Sequence, residues 1–116
     1  MNVDPVAFRL FERESAGVLA PHVRAWALQA LLAGLPYEAR VAERNRALLA
    51  ASQFLPEEMS TAERVRRLHA ELSAVARSPL PSHPDESTMR GCLAMALLAR
   101  KNVPNQRQLR NILDGL

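Results

Sequence analysis

Residues 20–35 read APHVRAWALQALLAGL, and only His22, Arg24 and Gln29 among them carry polar side chains. Proline at the first helical position and a closing glycine frame the stretch as a helix. At helical spacing Val23, Trp26, Ala27, Ala30 and Leu31 form one apolar stripe, and Leu28, Leu32 and Leu35 form a second on a different side. A surface helix needs one such stripe; a helix with two must be enclosed by its own chain or shared with a partner. The expectation is an all-α bundle of five or six short helices, with this segment and Trp26 at its centre.

The surrounding chain supports that class. Its 116 residues are 48% hydrophobic, 23% charged and only 4% aromatic, with alanine and leucine dominant. That balance suits a folded helical domain and excludes a disordered one. Asp4 and Pro5 read as a cap and first position for a helix to about Glu14, with Val6, Ala7, Leu10 and Phe11 facing inward. Gly34 stands where a left-handed helix end is expected. Pro36 opens a helix from Tyr37 to about Gln53. Ser60-Thr61-Ala62-Glu63 matches a capping box, and Val65, Leu68, His69, Leu72, Val75 and Ala76 follow it at helical spacing.

Residues 78–84, SPLPSHP, read as a proline- and serine-rich linker. They separate an N-terminal bundle, 1–77, from a basic helical hairpin, 85–116, expected to dock in the same domain. Asp85 or Ser87 is expected to cap the first hairpin helix, which reaches about Arg100, and Asn105 with Gln108 resembles a reciprocal cap for the last.

The net charge is +3 and the basic side is almost entirely arginine, Lys101 being the sole lysine. A surplus of three matters only where it is clustered. From Arg90 to Leu113 the chain carries Arg90, Arg100, Lys101, Arg107 and Arg110 and no acid. Helix, short turn and second helix make the outline of a helix-turn-helix. Asn105, Gln106, Arg107, Arg110 and Asn111 lie in the N-terminal part of the last helix, away from the stripe of Leu109, Ile112, Leu113 and Leu116. Arg, Asn and Gln are the side chains that bond base edges in pairs. A second basic group, Arg64, Arg66 and Arg67, joins this candidate nucleic-acid site only if folding sets it beside Arg107 and Arg110.

Other chemistry finds little support. A single cysteine, Cys92, leaves no intramolecular disulfide and no thiolate-built zinc site. His22, His69 and His83 have no ligand at metal-binding spacing on a helix, so no metal and no cofactor are expected. Glu57-Glu58 and Asp85-Glu86 each precede a helix, where acids are favoured without catalysis. Phosphate-loop and nucleophile-elbow patterns are absent, and no small-molecule substrate is evident. No apolar run reaches the roughly 20 residues of a membrane span and no secretory leader is visible, so a cytoplasmic protein is the simplest reading.

The leading expectation is a non-enzymatic helical interaction protein: an adaptor, regulator or subunit of a larger assembly. Trp26, Leu28, Leu32 and Leu35 are its candidate interface, facing a protein partner or a second copy. A DNA- or RNA-binding protein is the alternative.

Overall fold

The computed structural model describes residues 2–80 and 84–115, and His83 and Leu116 lie outside them together with the middle of the expected linker. Six helices follow in order: α1 (Pro5–Glu14), α2 (Pro21–Ala33), α3 (Tyr37–Ser52), α4 (Thr61–Ala76), α5 (Met89–Ala99) and α6 (Gln106–Asp114). No strand occurs among the described residues. The Cα radius of gyration is 14.1 Å, close to the roughly 13 Å expected of one closed domain of this length.

Local chemistry sets the helix starts. The Asp4 carboxylate accepts from the Val6 amide at 2.9 Å, ahead of Pro5 at the first helical position. Ser60 caps α4 through the Glu63 amide. Asn105 and Gln108 exchange both bonds of a capping box at 2.8 and 2.9 Å. The cap of α5 is Thr88, not Asp85 or Ser87: its hydroxyl accepts from the Gly91 amide at 3.0 Å. Asp85 caps the preceding turn instead, accepting from the Ser87 amide and hydroxyl. Those two bonds stabilise the ionised Asp85 carboxylate and hold its pKa below the usual value. Gly34 ends α2 at φ −93°, in the right-handed region, and Gly17 holds the one positive φ among the described residues.

The helix at the centre is α5. Gly91, Cys92, Leu93, Ala94, Ala96, Leu97 and Ala99 are all buried, so almost its whole circumference is enclosed. It packs most extensively along α3, then against α4, with α2 on a further side. α6 lies across α4 and part of α3. Leu48 and Ala51 of α3, Val65, Leu68 and Leu72 of α4, Leu93 and Leu97 of α5, and Leu109 of α6 form one continuous core. This core joins elements from both sides of residues 78–84. Each fully buried leucine contributes about 1.5–3 kcal/mol, so the α3–α6 core dominates the stability.

Small residues explain why α5 takes that place. A Cβ on Gly91 would stand 1.6 Å from the Asp85 carbonyl oxygen, so the loop can close over the helix only at glycine. Ala94, Ala96 and Ala99 let neighbouring helices approach at short range. Cys92 is buried among them, and its thiol donates to the Glu86 carbonyl at 3.3 Å. Burial pushes that thiol's pKa up, with Glu86 and Asp85 adding to the shift.

A smaller cluster unites α1 and α2: Val3, Phe8, Leu28, Leu32 and Leu35 close upon Ala99, with Met95 beside them. Here the expectation that α2 is the domain's centre is corrected. Leu28, Leu32 and Leu35 are buried, whereas Trp26 is 71% and Val23 41% exposed. Helix α2 is therefore enclosed on one side only. In α1 the inward residues are Phe8 and, partly, Phe11, while Val6 and Leu10 face solvent. The two phenylalanines carry the larger apolar area and win the buried side.

Candidate interaction surfaces

Two surfaces emerge, one apolar and one basic. Five large apolar side chains stand exposed on the N-terminal helical pair and the turn that joins it: Val6, Leu10, Val18, Val23 and Trp26. On α2, His22, Val23, Trp26, Ala30 and Ala33 are exposed and share one side of the helix. That side includes no Asp, Glu, Lys or Arg. The candidate interface thus divides. Trp26 is available, but Leu28, Leu32 and Leu35 are consumed in packing against Phe8 and Ala99 and offer no seam to a partner.

Ion pairs attach this pair of helices to the main core. Arg46 of α3 reaches Glu12 of α1 at 2.8 Å and also bonds Glu43, while Arg9 of α1 reaches Glu43 at 3.0 Å. Burial works against the Arg46 charge, but the hydrogen bonds to Glu12 and Glu43 outweigh it and hold its pKa above the ordinary value. Glu12 and Glu43 line a cavity of about 120 Å³ whose wall includes Phe8, Cys92 and Met95. With both carboxylates engaged by arginine, their role is to bind α1 to α3. Arg24 of α2 fastens the pair internally, donating to Ser15 Oγ and the Glu12 carbonyl, and reaches Glu86, just before α5, at 3.7 Å.

The basic residues of the C-terminal half do not form one surface. Gln106, Arg107 and Arg110 share a side of α6, and the packing of α6 on α4 sets them beside Arg66. These four side chains line a groove of about 310 Å³ together with Ala62 and Val65. Arg90 lies elsewhere, in a groove with Val75, Ser78 and Pro84 near the other end of α4. Nine residues separate Val75 from Arg66, about 14 Å of helix. Arg100 lies over the Tyr37 ring, 4.8 Å from its centroid. Lys101 is exposed in the turn, and Asn105 is occupied by its capping role. Asn111 lines a further groove with Asn45 and Arg46.

Within the Arg64, Arg66, Arg67 group the roles separate as well. Arg64 donates to the carbonyls of Ser52, Pro56 and Met59, closing the α3–α4 connection. Arg67 pairs with Glu71 at 3.2 Å. Arg66 takes part in no ion pair among the described residues, and neither does Arg107. Arg110 reaches Asp114 at 3.6 Å with both side chains more than half exposed, a pair of small worth.

One arginine is buried without an acid. Arg44 donates twice to Asn45 Oδ1, at 3.1 and 3.0 Å. Burial, then the Arg100 charge, lowers its pKa from the ordinary value, with Tyr37 acting the other way. Arg40 donates to the Ala99 carbonyl at 3.0 Å, complementing the negative end of α5. Spacing alone could not have separated these fastening arginines from the free ones. Pattern could have flagged Phe8 through its i, i+3 spacing with Phe11, which packs against the same cluster.

Among the described residues no group of His, Cys, Asp or Glu is placed to hold a metal ion. No helix there is long and apolar enough to cross a membrane. Comparison with protein-family models, curated proteins and solved structures finds no match to this chain.

Proposed function

We propose that this chain is a small non-enzymatic interaction protein that works through the outward side of α2, pairing there with a second copy of itself. The observation that carries the reading is Trp26, 71% exposed on a helix whose other side is fully used in the core. Tryptophan is the side chain most enriched at the energetic centres of protein interfaces.

A twofold interface uses the same patch on both partners, so the patch must complement itself. A side carrying Val23, Trp26, Ala30 and Ala33 and no formal charge meets that condition: one copy's indole can lie over the alanines of the other. Val6 and Leu10 of α1, also exposed, add apolar surface to this half of the molecule.

Light scattering after size exclusion tests the reading directly. The mass is expected to rise from monomer to dimer with concentration, and the sole tryptophan's emission to shift to shorter wavelength with it. Trp26→Asp should keep the helical circular dichroism and remain monomeric. A monomeric mass at every concentration, with unshifted emission, would overturn self-association.

A further inference from the structure

We infer that the groove between the first halves of α4 and α6 binds the phosphate backbone of a nucleic acid. Arg66 reaches the groove from α4, and Arg107 and Arg110 from α6. These residues lie 41 and 44 positions apart in the chain, and only the packing of α6 on α4 brings them together.

Three features favour this partner. First, the charge is uncompensated where it counts. Among the described residues Arg66 and Arg107 have no ion-pair partner, Asp114 holds Arg110 only weakly, and no acid lines the groove. Glu63, three residues before Arg66, is exposed, outside the groove and in no ion pair among the described residues. Second, the cations are spaced for a repeating anion. Arg107 and Arg110 stand one turn apart, about 5–6 Å between their Cβ atoms, and Arg66 faces them from the opposite wall. Guanidinium groups grip phosphate through paired parallel hydrogen bonds. Third, the α6 start adds favourable polarity. Its first turn contains no acid, and the Asn105–Gln108 box leaves the Gln106 and Arg107 amides outside its two bonds.

The groove offers no aromatic side chain for base stacking, and Gln106 is the one neutral amide on its wall. Binding is therefore backbone-directed and insensitive to sequence. A membrane surface fits less well, because none of the exposed large apolar side chains among the described residues lines this groove to insert beside the arginines. This inference is independent of the α2 surface: the two use different helices, and a monomer can bind nucleic acid.

Fluorescence anisotropy with a short labelled DNA duplex and its single strand provides the test. Three neutralised phosphates predict a logarithmic salt slope near −2.7 for the duplex, so affinity should fall about 40-fold as potassium chloride rises from about 50 to about 200 mM. Arg66→Ala with Arg107→Ala should reduce that slope by about two, equally across unrelated sequences. Both side chains are exposed and in no ion pair among the described residues, so the variant should keep its melting temperature. Arg67→Ala and Arg90→Ala, outside the groove, should bind as the parent does. No binding at low salt would overturn the inference, as would a loss shared by the Arg67 and Arg90 variants. Competition by inorganic phosphate at its own low concentration would reveal a site for the free ion, and tighter binding to anionic vesicles than to DNA would reveal a membrane site; either result also overturns it.

Discussion

The α3–α6 core and the α1–α2 pair are built from similar residues but are held by different means. In the core, apolar side chains from four helices meet in one cluster, and α5 is enclosed nearly all round. The N-terminal pair has a far smaller cluster, relies on Arg24 and the Glu12–Arg46 and Arg9–Glu43 ion pairs, and leaves Trp26 and Val6 in solvent. Partly exposed ion pairs contribute little each, so the pair should open at lower free energy than the core. Buried core and exposed apolar surface are thus segregated: one region supplies the rigid body, the other most of the exposed large apolar side chains among the described residues.

Substitutions can break this contrast. Leu93 has no solvent exposure, so Leu93→Asp would bury an unpaired carboxylate at the centre of α5. Loss of the cooperative unfolding transition and of most helical circular dichroism is expected; a folded variant would mean that α5 is not the organising helix. Phe8→Ala removes the anchor of the smaller cluster at a local cost of about 3–5 kcal/mol. Hydrogen exchange should then show α1 and α2 amides losing protection while those of Leu93 to Leu97 retain it. Simultaneous loss in both regions would show one cooperative unit instead of two.

Two smaller effects sharpen the comparison. Arg64→Ala removes the guanidinium that ties together the Ser52, Pro56 and Met59 carbonyls, the first two of which keep backbone donors, and should destabilise the core by about 2 kcal/mol in urea unfolding. An unchanged midpoint would return Arg64 to the pool of free surface cations. Trp26→Ser, measured on dilute monomer, should alter stability by no more than about 0.5 kcal/mol, as expected of an exposed side chain. A loss of several kcal/mol would place the indole in the core after all.

Much of the local structure was legible. Asp4-Pro5, Ser60 and the Asn105–Gln108 pair marked three helix starts because capping is settled within four residues. Thr88 escaped notice because Asp85, Ser87 and Thr88 are all able caps, and the choice among them depends on how the loop closes over Gly91. The basic residues were legible as a list but not as a site. Arg100 went to Tyr37, Arg90 to the distant end of α4, and Arg66 arrived from another helix.

Composition and periodicity alone determined that the chain is helical, roughly where each helix lies, and that α2 has two apolar sides. They could not say which side is buried, because at Leu28 and at Trp26 the residues are equally suited to a core and helical spacing records directions without neighbours. Only the tertiary packing decided it. The small side chains of α5 allow close approach from several directions, so that helix took the centre, and α2, laid along its flank, had room to cover a single side.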